Sequence, residues 1–172
     1  MPTKATAKKS SSASTASNAI KLLTDDHKEV HALFLDYAKL CAADAGAQER
    51  QPAAEQICLL LTVHAAIEEE IFYPAARKAG VQSDLLDEAD VEHASVKDLI
   101  AQIRAMDADD DHYDAKVTVL GEYVDHHVKE EQDEMFPKCR EAKMDLKRLA
   151  EMLAKRKTEL MAEMTEGMEL AV

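Results

Sequence analysis

Two stretches decide the reading of this chain: HAAIEEEIFYP at residues 64–74 and HHVKEEQDEMFP at residues 126–137. With His127 laid on His64, both read His, three residues, Glu, five residues, Pro: His64, Glu68, Pro74 and His127, Glu131, Pro137. Upstream, DDH ending at His27 matches VEH ending at His93. The intervals to the following His agree, 37 residues in one half and 34 in the other. This spacing predicts two helix pairs related by a pseudo-twofold axis. Each pair would give one His from its first helix and a His/Glu pair from its second.

Working outward, apolar residues recur at steps of three and four, the period of an amphipathic helix. The first stripe is Ile20, Leu23, His27, Val30, His31, Phe34, Ala38 and Cys41; Gly46 breaks it, and Pro52 is expected in the first turn of the next helix. The second runs Ile57, Leu60, Leu61, His64, Ile67, Glu68, Ile71 and Ala75 as far as Gly80. Ser83 is expected to cap the third helix, with Leu86, Ala89, His93, Val96, Ile100 and Ile103 on its stripe. After the acidic connection at 107–111 come Tyr113, Val117, Leu120, Val124, His127, Glu131 and Met135. The fold class that follows is all-α: an up-and-down antiparallel four-helix bundle over 18–141. A weaker pattern (Leu146, Leu149, Leu153, Leu160, Met164) predicts an accessory C-terminal helix within 142–172, packed on its own bundle. Residues 1–17, Ser, Thr, Ala and Lys with little to bury, read as a disordered tail.

Composition narrows the function classes. The 172 residues carry 21 Lys and Arg against 34 Asp and Glu, a net charge of −13. Such a chain repels polyanions, so neither nucleic acid nor an anionic membrane is expected as a partner. No stretch is apolar enough to span a bilayer, and the N-terminus has no apolar segment of the secretory kind. Cys41, Cys58 and Cys139 form no CxxC pair and read as reduced thiols, which fits a cytoplasmic protein, monomeric or weakly dimeric.

The chemistry lies in where the polar residues fall. His27, His64, Glu68, His93, His127 and Glu131 all sit on the apolar stripes rather than opposite them. His and Glu four apart project from one helix face about 5–6 Å from each other. An ionised carboxylate turned into a core costs several kcal/mol unless it is paired or bound to a metal. The pattern does this twice, at equivalent points of both repeats. Four imidazoles and two carboxylates converging at the bundle centre suit a pair of divalent first-row metals. In the run at 68–70 only Glu68 is expected to point inward; His126 is expected beside the site or on the surface, and His112 outside it.

The segments DDHKEVHALF, HAAIEEEIFYP, VEHASVKDLI and HHVKEEQDEMFP resemble the hemerythrin-like HHE cation-binding family over roughly residues 20–140. The resemblance implies a non-haem di-iron centre, two Fe ions with a bridging oxo or hydroxo group. Glu68 and Glu131 would bridge the ions, and His27, His64, His93 and His127 would be terminal ligands. Oxygen-carrying members place a fifth His where this chain has Lys97. The pseudo-twofold axis relates that position to His31, four residues after His27, which is expected to supply the fifth imidazole from the opposite side. Five imidazoles would leave one coordination position open for O2. Four would leave two, which solvent, peroxide, Tyr37 or Tyr123 could enter.

The expected function is O2 binding for sensing, storage or delivery. The alternative is a di-iron redox enzyme of stress defence acting on peroxide or nitric oxide, with iron buffering ranked below both. The implied partner is O2 or another small diatomic or peroxide ligand. A purely structural bundle would explain none of the buried carboxylates.

Overall fold

The computed structural model describes residues 18–169; the expected tail at 1–17 lies outside them. The order is α1 (Ala19–Ala42), α2 (Ala47–Ile67), a π-helical turn π1 (Glu68–Phe72), α3 (Tyr73–Lys78), α4 (Ser83–Arg104), α5 (Tyr113–Glu130), a second π-helical turn π2 (Glu131–Met135), α6 (Phe136–Glu141) and α7 (Leu146–Glu169). Four long rods result: α1, α2–π1–α3, α4 and α5–π2–α6. Each packs on the next around the bundle, and α1 closes against α5. The up-and-down four-helix arrangement is present as the stripes require. The accessory helix α7 lies across α1, α2 and π1.

Local chemistry sets the ends. The Asn18 side chain accepts from the Lys21 amide at 2.9 Å and caps α1. Gly80, at φ +81°, ends α3 in the left-handed region that favours glycine, and the Val81 amide donates back to the Ala76 carbonyl at 3.1 Å. Two boundaries differ from expectation. Gly46 is the N-cap of α2, so the helix begins at Ala47 and Pro52 falls inside it rather than in its first turn. Pro52 is tolerated there because it is exposed, at the loss of one helical hydrogen bond. Gln82, not Ser83, is the N-cap of α4; the Ser83 hydroxyl instead donates to Asp84 Oδ1 at 3.5 Å.

The π turns are the larger difference, since the stripes read as uninterrupted α-helix. Pro74 and Pro137 explain both. A proline lacks its amide hydrogen and its ring clashes with the carbonyl four residues back, here Glu70 and Asp133. The chain widens by one residue, and the Tyr73 and Phe136 amides donate to the carbonyls of Glu68 and Glu131, five residues back. Each π turn therefore begins on one of the two inward glutamates.

The core forms two apolar clusters. One gathers Leu23, Val63, Ile67, Phe72, Leu86 and Phe136, with Leu153 and Leu160 of α7. The other gathers Val30, Ile57, Leu60, Ile100, Ile103, Val117 and Leu120. His27, His64, Glu68, His93, His127 and Glu131, all buried, interrupt the apolar interior. At about 0.8 kcal/mol per buried CH2, the two apolar clusters hold the helices in place around this polar group. Among the described residues no helix is long and apolar enough to cross a membrane.

Candidate metal centre

The six residues on the stripes converge. His27, His64, Glu68 and Glu131 each bring one donor atom within 4.8 Å of the others, and Glu68, His93 and His127 form a second such group. Glu68 belongs to both groups. Across the first group His27 Nε2 is 3.0 Å from His64 Nε2; across the second, His93 Nε2 is 3.1 Å from His127 Nε2.

What turns the Nε2 atoms inward is a ring of hydrogen bonds on the opposite nitrogens. Asp26 Oδ2 lies 3.4 Å from His64 Nδ1, Glu69 Oε1 2.9 Å from His93 Nδ1, and Glu92 Oε2 2.6 Å from His127 Nδ1. The Gln132 side-chain amide lies 3.3 Å from His27 Nδ1 and closes the ring. Each partner is the sequence neighbour of one inward residue and orients the imidazole of the next rod: α1 serves α2, π1 serves α4, α4 serves α5, and π2 serves α1. Outer partners of this kind fix the tautomer and plane of a metal-binding histidine. Lysines anchor two of them, Lys157 Nζ donating to Asp26 Oδ1 and Lys97 Nζ to Glu69 Oε2, each at 2.6 Å.

The inward atoms fit a cation. Glu68 Oε1 lies 3.1 Å from His64 Nε2, and Glu131 Oε2 lies 3.2 Å from His27 Nε2. Both oxygens are buried and accept no hydrogen bond. Oxygen and nitrogen donors thus face one another with nothing directed between them, an expensive arrangement for a packed interior and the natural one around a metal ion.

The comparisons agree. The profile of the hemerythrin HHE cation-binding domain matches residues 18–139. The chain belongs to this family. A hemerythrin HHE cation-binding domain-containing protein of Mycobacterium kansasii has the same fold, at TM-score 0.70 and 24% identity, over 85% of this chain and 88% of that one. A DNA nickase of Nostoc sp. is 30% identical over 115 residues, which is 67% of this chain and 31% of the relative; the chain thus spans about a third of that protein. The HHE domain is a cation-binding one; among the described residues the two buried groups could hold cations, as could a more exposed group of Glu92, His126 and Glu130.

Three expectations about this HHE site change. His31 is not brought to the cluster: its side chain is 56% exposed, and Nδ1 pairs with Asp125 Oδ1 at 3.2 Å. One turn beyond His27, it has already reached the solvent edge between α1 and α5. Its pseudo-symmetric counterpart Lys97 likewise turns out to Glu69. The nearby tyrosines expected were Tyr37 and Tyr123. Tyr37 instead donates to Asp114 at 2.6 Å, at the end of the bundle that holds Arg50, and Tyr123 is 48% exposed. The tyrosine at the site is Tyr73. Its hydroxyl donates to Glu131 Oε1 at 2.9 Å and lies 3.3–3.4 Å from Glu68 Oε2, His93 Nε2 and His127 Nε2. The Tyr73 oxygen is thus within hydrogen-bond distance of all three residues of the second group. Finally, Glu69 turns inward onto His93 rather than out to solvent, while His126 stays on the surface, 66% exposed and 3.2 Å from Glu130.

Electrostatics follow the same geometry. Burial disfavours charge on His64, but Glu68, Asp26 and Glu131 outweigh it and push its pKa up to about 10. Burial is likewise overcome at His127, where Glu131, Glu92 and Glu68 raise the value to about 9. Burial and the charges of Glu68 and Glu131 hold the Tyr73 hydroxyl well above the usual phenol range. Burial pushes the Cys58 and Cys139 thiols up to about 12, so both are inert packing groups.

On the side of the imidazoles away from the carboxylates lies a closed cavity of about 20 Å³, lined by the four histidines with Val30, Leu61, Ala65, Val96, Val124 and Val128. It has room for one water-sized molecule.

Proposed function

We propose that this HHE domain holds two iron ions. His27, His64, Glu68 and Glu131 would hold one, and Glu68, His93, His127 and Tyr73 the other. The donor set supports iron: imidazole, carboxylate and phenol oxygen, with no thiolate, suit a first-row ion that cycles between ferrous and ferric. Such a pair supplies or accepts two electrons and offers open positions to a small oxygen ligand.

The function we infer is reductive chemistry on peroxide, as in oxidative-stress defence, and the observation that carries it is the exchange of His31 for Tyr73. Without the fifth imidazole more than one position stays open. The Tyr73 hydroxyl, held un-ionised by burial and by Glu68 and Glu131, would carry a proton that an oxygen leaving group could take, and the phenolate left behind would be the form that binds ferric iron. The residues' tasks are distinct: the ring of Asp26, Glu69, Glu92 and Gln132 orients the imidazoles, the two carboxylates supply negative charge, and the valines exclude bulk water. The closed apolar cavity favours a second reading, reversible O2 binding, because it offers a neutral diatomic a dry site without a further hydrogen-bond donor. The net charge of −13 disfavours a polyanionic partner in either reading.

Loading the anaerobic protein with two ferrous ions per chain separates the two. With an external two-electron donor in excess, peroxide should be reduced to water over many turnovers with both irons retained; without the donor, consumption should stop at one peroxide per pair of ferrous ions. A visible band that appears with O2 and vanishes under inert gas, without peroxide turnover, would move the assignment to O2 binding.

A further inference from the structure

The closed cavity above the imidazoles shares part of its wall with an open cleft. The cleft, about 260 Å³, lies between α1 and α5 and is lined by His27, His31, Leu35, Val124, Val128 and Gln132 among others. His27, Val124 and Val128 also line the inner cavity. The cleft on the other face of α5, around Glu92 and His126, shares no lining residue with it. Across the outer mouth, His31 of α1 pairs with Asp125 of α5 at 3.2 Å, both side chains more than half exposed.

We propose that small neutral ligands reach the metal centre through the α1/α5 cleft, with Val124 and Val128 setting the width of the passage and the His31–Asp125 pair bridging its mouth. The inference rests on the metal-centre reading for what the ligand meets inside. The inner part of the route favours neutral molecules: past the mouth, where Lys28, His31, Asp125 and Gln132 offer polar groups, an anion would shed its hydration among Val30, Leu61, Val96, Val124 and Val128. The bridging contact opens cheaply, because both side chains are exposed to water that can replace the hydrogen bond. Val128 is only half-buried, so changing its size alters the passage with little effect on the core. His31 thereby gains a role at the ligand's way in rather than on the metal.

The test compares Val128→Ala and Val128→Phe with Tyr123→Ala, a control on the other cleft. Nitric oxide association with the diferrous protein, and its single-turnover oxidation by hydrogen peroxide and by tert-butyl hydroperoxide, are followed by stopped flow. Val128→Phe should slow nitric oxide association about tenfold or more. Val128→Ala should raise the tert-butyl hydroperoxide rate relative to that of hydrogen peroxide, and Tyr123→Ala should change neither. Rates indifferent to Val128, or sensitive to Tyr123, overturn the route. A second measurement needs no metal: methyl relaxation under dissolved O2. Val124 and the inner Val30 and Leu61 should relax faster than Leu22 and Leu59, which are buried to a similar degree away from the cavity. Equal relaxation in the two sets also overturns the route. Failure to bind iron would overturn the metal centre instead, leaving the relaxation map to decide the passage.

Discussion

Tyr73 and Phe136 occupy equivalent places in the two repeats, each nine positions after its histidine, and only Tyr73 carries a hydroxyl. The pseudo-symmetric centre is therefore chemically one-sided: the oxygen reaches Glu131 across the axis at 2.9 Å, while Phe136 stacks in parallel on His27. Tyr73→Phe should keep two metals per chain and lose the visible band of a phenol-ligated ferric ion. In the metal-free protein it should cost about 1–3 kcal/mol, because Glu131 Oε1 loses its donor. An unchanged ferric spectrum would remove Tyr73 from the ligand set.

The two glutamates are not equivalent either. Glu68 joins both donor groups, whereas Glu131 joins only the first. Glu68→Gln should lower metal content below one ion per chain. Glu131→Gln should leave one ion, held by Glu68, His93, His127 and Tyr73. Elemental analysis after dialysis distinguishes them, and equal losses would contradict the shared position of Glu68.

His31→Ala should retain both metals and the full optical spectrum, since the imidazole lies on the rim, paired with Asp125. Loss of either metal would restore the fifth-ligand reading.

That reversal marks where the sequence stops being legible. Helical period alone put His27, His64, Glu68, His93, His127 and Glu131 on buried stripes, because a polar residue on an apolar face is visible without coordinates. The same rule misplaced His31, which shares the α1 stripe but sits where the bundle's edge reaches solvent; a stripe says which face, not how far inside. Tyr73 was hidden for the opposite reason. Five residues past Glu68, it leaves the stripe of a regular helix, and only the extra residue of the π turn brings its amide back beneath the Glu68 carbonyl. The equal spacing of Pro74 and Pro137 was the available signal. The orienting ring had one too: Asp26, Glu69, Glu92 and Gln132 are each adjacent to an inward residue, but each serves a different helix, which neighbour order cannot reveal.

The carboxylates make metal uptake sensitive to pH. Folding raises His64 from 6.5 to about 10 and His127 from 6.5 to about 9. A group raised by folding stabilises the fold while it is protonated: fully below about pH 6.5, and no longer once the pH has climbed through 9 and 10. The metal-free chain should therefore melt at a lower temperature at about pH 10 than at about pH 7. Metal affinity should run the other way, rising up to about tenfold per pH unit for each proton displaced. Melting curves with and without metal across this range check both signs. A metal-free midpoint that stays level would show that these imidazoles are not charged by their neighbours.

The accessory helix α7 reaches His64 of the first donor group through two side chains. Lys157 donates to Asp26 Oδ1 at 2.6 Å, and Asp26 Oδ2 faces His64 Nδ1. The Asp26 carboxyl, opposed by burial, is held below its usual range by His64 and Lys157 together, so it stays an anion able to accept from Nδ1–H. Asp26→Ala frees the His64 ring to turn, and losses of such outer partners weaken metal binding about 10–100-fold. Lys157→Met leaves the carboxylate but no longer fixes its orientation, so the loss should be smaller and in the same direction. In both variants the effect should fall on the ion held by His27 and His64. The ion held by His93 and His127 has Glu69, Lys97 and Glu92 behind it and should keep its affinity. A two-step chelator competition resolves the ions. Equal weakening of both steps would mean that α7 acts by general stability rather than through Asp26.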